Sequence, residues 1–178
     1  MIAVRVLPAA ELDRRVAEID RSEHVTELYA YRDGALVKRD VDEQVPRWPL
    51  TGDPEHSVEA HLKAWRPILV RGGTLLGAFE GERLAGLAIY RPELEEGVAD
   101  LAVLHVSRPY RRKGVAFLLT GEVARLARAD GATRLYVSAT PTSSAIGFYR
   151  RFGFVPTDAP NAEMHALEPE DIHMILEL

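Results

Sequence analysis

Four cations crowd one short turn of an otherwise acidic chain: Arg108, Arg111, Arg112 and Lys113, followed at once by Gly114. The turn joins the apolar run Leu101-Ala-Val-Leu-His-Val106 to a stretch in which Val115, Leu118, Leu119, Val123 and Leu126 recur at the period of a helix face. Cations at a helix start oppose the positive pole of the helix dipole, and a bound anion is the simplest compensation. Free N–H groups in the first turn, a glycine that permits close approach and flanking positive charge together make a phosphate cradle. The alternative is a solvated basic turn that binds nothing. The segment is neither a GxxxxGK[ST] P-loop nor a GxGxxG dinucleotide turn.

Other chemistries are excluded by what the chain lacks. It has no cysteine, so disulfides, thiolate metal sites and cysteine nucleophiles are ruled out. Of the histidines, His56 and His61 are five apart rather than four, and His24, His165 and His173 are isolated, so no metal site is expected. His105 faces the opposite side of its strand from Leu104 and Val106.

The elements that hold the turn are legible on both sides of it. Upstream, Thr74 to Phe79 and Arg83 to Tyr90 flank Gly81-Glu82 and predict an antiparallel pair, beside which a strand from about Val98 to Val106 runs into the turn. Downstream, the cradle helix stops at Asp130-Gly131 and Arg134 to Ala139 is a short strand. Thr142 to Phe152 is a helix with Ser/Thr caps and Gly153 as its stop. Phe154-Val155 and Ile172 to Leu178 are the last strands, separated by a polar loop at 157–170. At the amino end a strand at 2–7 precedes a helix from Glu11 to about Ile19. His24 to Asp42 predicts a hairpin about Asp33-Gly34, Val45 to Pro54 an irregular loop, and Ser57 to Gly72 a helix with Val58, Leu62, Trp65 and Leu69 inward and Pro67 near its end.

Antiparallel strands followed by strand-helix-strand units predict an α/β fold, a mixed and mostly antiparallel sheet flanked by helices. A chain of 178 residues, 47% of them apolar, suits one domain over residues 1–178. The net charge of −5 argues against a nucleic-acid partner or an anionic membrane surface. No apolar run approaches the 18 residues of a membrane span and the amino end is no signal peptide. A cytoplasmic protein is the expectation.

Two blocks carry a family resemblance. Arg111-Arg112-Lys113-Gly114-Val115-Ala116 resembles the [Q/R]-x-x-G-x-[G/A] acetyl-CoA signature of the GNAT superfamily of N-acetyltransferases, and Thr142-Ser-Ser-Ala-Ile-Gly-Phe-Tyr-Arg-Arg-Phe-Gly-Phe154 is similar to its N-x-x-A-x-x-F-Y-x-x-x-G-F block. Thr142 stands where that block has asparagine. The resemblance implies a GNAT-like fold and acetyl-CoA as co-substrate. It implies a pyrophosphate held at Arg111, Arg112, Lys113, Gly114, Val115 and Ala116, and a pantetheine arm along the strand end at Leu104, His105 and Val106. Thr142 and Ser144 would contribute further cofactor contacts. It gives Tyr149 the role of general acid to the departing thiolate, and gives Asp100, fourteen residues before Gly114, that of general base, with Glu80 or a water chain as alternatives. An edge N–H near Val106 is expected to hold the oxyanion.

A base is chemically necessary, because an ammonium of pKa about 10.4 must lose its proton before it attacks, an offset of order 4–5 kcal/mol at pH 7. The acceptor implied is a primary amine of a small molecule or peptide, drawn by segments such as Asp40, Asp42 and Glu43, the Trp48 loop and the loop at 157–170. A homodimer through the last strands also fits the resemblance. A CoA-binding sensor without turnover is the rival reading.

Overall fold

Alternating and continuous apolar runs build the sheet of the computed structural model, which describes residues 1–178. In chain order the elements are β1 (Ile2–Leu7), α1 (Leu12–Glu18), β2 (Glu23–Arg32), β3 (Ala35–Val45), α2 (Val58–Val70), β4 (Thr74–Glu80), β5 (Arg83–Glu95), β6 (Val98–Val106), α3 (Val115–Ala129), β7 (Arg134–Ala139), α4 (Ser143–Phe152), β8 (Val155–Pro156), α5 (Ala162–Leu167) and β9 (Ile172–Glu177). Seven strands form one sheet in the order β1-β4-β5-β6-β7-β9-β8, while β2 and β3 pair apart as a hairpin. Every pairing is antiparallel except β6 with β7. The mixed, mostly antiparallel sheet is as expected.

Local rules explain the element ends. Asp33 (φ 51°) and Gly34 (φ 76°) supply the paired left-handed residues that a tight hairpin turn requires. Ser57 caps α2 by accepting from the Ala60 N–H, and Thr142 caps α4 by accepting from the Ala145 N–H. Helix α2 continues past Pro67, at the cost of one internal hydrogen bond, because Trp65 and Leu69 are buried on either side of it. The structure also departs from expectation. The loop at 157–170 contains α5, capped by the Asn161 side chain, and Leu118 of α3 lies outward, 47% exposed. The inward stripe of α3 is Val115, Leu119, Val123, Ala124 and Ala127, since Leu118 falls off the four-residue rows that face the sheet.

Helices cover both faces. On one, α3 and α4 pack Val115, Leu119, Val123, Ile146 and Tyr149 against Leu76, Ala88, Ala99, Leu101, Val137 and Met174. On the other, α1 and α2 pack Leu12, Val16, Trp65 and Leu69 against Leu75, Leu87, Ile89 and Val103, and α5 adds Met164 over Val98 and Tyr136. Burial of each large side chain stabilises by roughly 1.5–3 kcal/mol.

Two irregularities shape the centre. Strand β6 pairs with β7 only from Val98 to Asp100, yet runs on to Val106, so the two strands part after their first three residues. The register of β6 with β5 slips between Val103 and Leu101, which leaves Ala102 as an extra residue. That bulge reverses the strand's parity. Ala99 and Leu101 therefore share the α3 face with Leu104 and Val106, and Asp100 lies on the opposite face.

Candidate active site

The cradle is built by two left-handed residues. Arg112 (φ 59°) and Gly114 (φ 80°) turn the chain sharply into α3, and the backbone N–H groups of Arg112, Lys113 and Gly114 have no acceptor. Those of Val115, Ala116 and Phe117 lie in the first turn of α3, where no helical carbonyl can reach them. A row of free donors at a helix start is an anion-binding concavity. Nothing lies within 4 Å of where a Gly114 side chain would begin, so the concavity is open.

Arg111 takes another part. Its guanidinium donates to the carbonyls of Val106 (3.3 Å), Ser22 (3.1 Å) and Arg21 (2.8 Å) and lies 3.7 Å from Glu23. It is a clamp between the cradle and the segment before β2, so its side chain is turned from the anion site. Arg111→Ala should lower the stability of the fold by about 1–3 kcal/mol, a loss legible in chemical denaturation, through three carbonyls left without a donor.

The edge beside the cradle is set by ladder alternation. The Ser107 N–H donates to the Ala85 carbonyl, so by alternation His105 points its backbone at β5, and Leu104 and Val106 point theirs to the side that β7 has left. Leu104 and Val106 thus turn their backbone groups to the gap between β6 and β7. His105 does not. Its ring packs with Trp48 (4.7 Å between centroids) and Trp65 (5.6 Å), and His61 stacks on Trp65 at 4.6 Å. Burial lowers His105 to about 3 and His61 to about 4, so both imidazoles are neutral at pH 7. This cluster was not foreseen, because nothing in the spacing of Trp48, His61, Trp65 and His105 ties three segments together.

Asp100 and Tyr149 approach the parting of the strands from its two faces. Asp100 is 1% exposed and neither carboxylate oxygen has a hydrogen-bond partner. Burial raises its pKa to about 7, the charges of Glu168 and Glu163 push it the same way, and Arg91 opposes them. Tyr149, 7% exposed on α4, is raised by burial and then by the charges of Asp100, Asp171 and Glu168, so the phenol stays protonated. Glu80 lies far from Asp100. It pairs with Arg83, whereas Asp100 pairs with Arg91, eight residues farther along β5, a separation of about 26 Å at about 3.3 Å per residue.

The Thr142 hydroxyl caps α4 and lies 3.1 Å from the Ser144 hydroxyl. The turn before them is braced by the hairpin, whose Tyr29 N–H donates to the Pro141 carbonyl at 2.7 Å. Asp42 of the hairpin is engaged with His24 at 2.6 Å.

A sheet split at its one parallel step, with an anion cradle at the end of the longer strand, defines an architecture for an extended phosphate-bearing ligand. The sequence matches the acetyltransferase (GNAT) family over residues 39–154. The chain belongs to that family, whose acyl donor is acetyl-CoA. No curated protein matches it. Among solved structures, nourseothricin acetyltransferase superposes with a TM-score of 0.72 at 18% identity, over 99% of this chain and 98% of that one. The acetyl coenzyme A complex of a protein from Bacillus anthracis str. Ames gives 0.73 at 17%, over 100% and 99%. The PaiA N-acetyltransferase of Thermoplasma acidophilum, in complex with coenzyme A, gives 0.65 at 18%, over 100% and 99%. At these identities the likeness is one of fold. No helix of the chain is long and apolar enough to cross a membrane.

Proposed function

We propose that the protein is an N-acetyltransferase that moves the acetyl group of acetyl-CoA onto a primary amine of a small molecule or peptide by direct attack in a ternary complex. The observation that carries this reading is Asp100, a buried carboxylate without a partner at the point where β6 and β7 part. An unpaired buried carboxylate is costly, and a pKa near neutrality suits a base that takes a proton from an ammonium. The cofactor's pyrophosphate is held by the N–H groups of Arg112 through Ala116, with Arg112 and Lys113 as exposed cations, and its amide-bearing arm pairs with the edge at Leu104 and Val106 as an added strand would.

Asp100, directly or through a water, accepts the ammonium proton. The neutral nitrogen then attacks the thioester carbon, and the tetrahedral oxyanion collapses to the amide as the carbon–sulfur bond breaks. Tyr149 protonates the departing sulfur, which leaves as the thiol, and the second proton of the attacking nitrogen, released as the amide forms, restores the phenol. The oxyanion donor must lie near both groups. The bulge at Ala102 meets that condition, whereas Val106 is six residues beyond Asp100, about 20 Å along the strand. In this reading the bulge, rather than the edge N–H near Val106, supplies the oxyanion donor.

Thiol release from acetyl-CoA, followed against amines of several classes and paired with calorimetric titration of CoA, tests the reading. Release that requires an amine supports it. Tight CoA binding with no release from any amine sinks it in favour of a CoA sensor. Tyr149→Phe should lower kcat at least about tenfold and leave CoA affinity in place; an unchanged kcat removes Tyr149 from the mechanism.

A further inference from the structure

The α5 face of the site gathers more carboxyl groups than one reacting amine needs. Register places the groups. Asp100 pairs with Tyr136 in the parallel step, so on that face Asp100 has Tyr136 and then Ser138 of β7 beside it, and Ser138 pairs with His173 of β9. The Ser138 hydroxyl donates to Asp171 at 3.4 Å, which brings the residue before β9 to the same place. The segment that bears Glu168 is pinned there. The Asn161 N–H donates to the Tyr136 hydroxyl, which therefore donates to His173 Nδ1 at 2.7 Å, leaving the Nε2 proton of His173 for the Glu168 carbonyl at 3.2 Å. The Asp171 N–H also donates to that carbonyl. The carboxyls of Asp100 and Asp171 are thus held at one mouth, and the exposed Glu168 side chain starts from a backbone pinned beside them, near enough for its charge to act on both.

Little positive charge answers them. Arg91 is the cation opposite Asp100, and its guanidinium lies 3.5 Å from Glu163 of α5. His173 is neutral in its hydrogen-bonded form, and His165 stands edge-on to it at 5.5 Å. Asp171 is raised to about 7 by burial and by the charge of Glu168. The two oxygens of Asp100 have no partner at all. A cation entering this mouth relieves repulsion among all three carboxylates.

We infer that the acceptor is a small amine with a second positive charge: its reacting nitrogen goes to Asp100, and its second ammonium is held by Asp171 and Glu168. The inference rests on the acetyltransferase reading and deepens it. Asp171 and Glu168 are then specificity-determining residues, and their effect falls on KM for the acceptor.

The test is calorimetric titration of diaminobutane, butylamine and aminobutanol into the full chain, free and loaded with CoA. Diaminobutane should bind at least about tenfold tighter than butylamine, with aminobutanol close to butylamine because it offers a hydrogen bond without charge. In Asp171→Asn/Glu168→Gln that gap should close. Glu168→Gln alone, at an exposed position that leaves the fold untouched, should narrow it. Equal binding of diamine and monoamine, binding of neither, or a gap that survives in the double variant overturns the inference. The CoA titration reports on the acetyltransferase reading separately, since neither substitution touches the cradle.

Discussion

Asp100→Asn should lower kcat/KM for the acceptor by about 10²- to 10³-fold, the range expected for removal of a general base. The wild-type rate should show an acidic limb near pH 7, where the Asp100 carboxyl loses its proton, and the variant should lack it. Stability should move the other way. A carboxyl whose folded pKa lies above its unfolded value keeps its proton in the folded state while the unfolded chain has released it, so stability falls as pH rises from about 4 to about 7 and remains reduced above that. The penalty is of order a few kcal/mol. Asparagine is isosteric and carries no charge, so Asp100→Asn should melt several degrees above the wild type at pH 8 and close to it at pH 4. Thermal unfolding at both pH values checks this. A variant that keeps the acidic limb would show that Asp100 is not the base, and one that melts no higher at pH 8 would show that it is not the strained group.

Gly114→Glu should weaken CoA binding by at least about 100-fold, equivalent to about 2.8 kcal/mol. The open space at Gly114 admits a side chain without a clash, so the fold survives, at a cost of roughly 1–2 kcal/mol for a β-carbon at φ 80°. The carboxylate then stands among the free N–H groups where the pyrophosphate belongs and repels it. Gly114→Ala separates the two effects, because it brings the strain without the charge and should lose far less affinity. Titration of CoA into both variants measures the difference. Wild-type affinity in Gly114→Glu would relocate the phosphate site and leave the basic turn as solvated surface.

The aromatic cluster and the carboxylate mouth lie on the same face of the sheet, on either side of the Ala102 bulge. The strand whose Leu104 and Val106 side chains share the α3 face thus presents Asp100 and His105 to the opposite side. Both faces are reachable at this point because the neighbouring strand has turned away.

The sequence by itself determined the order of elements except α5, the hairpin at Asp33-Gly34, the caps at Ser57 and Thr142 and the basic turn at Arg112 to Ala116. Each of these is local: a helix face, a turn or a cap is decided within a few residues by spacing and backbone preference. It also singled out Tyr149, inside the second block, and Asp100, fourteen residues before Gly114. Only the tertiary structure decided which face each residue takes. The bulge at Ala102 reverses the alternation that would put Asp100 beside Leu104, and a bulge depends on what the neighbouring strand does. The tertiary structure also turned Arg111 into a clamp, carried Glu80 to the far end of the sheet, gathered Trp48, His61, Trp65 and His105, and brought Asp171 and Glu168 to Asp100 across some seventy residues of chain. Such contacts arise from strand order and helix packing, which are set by the burial of whole faces and leave no trace in short-range spacing.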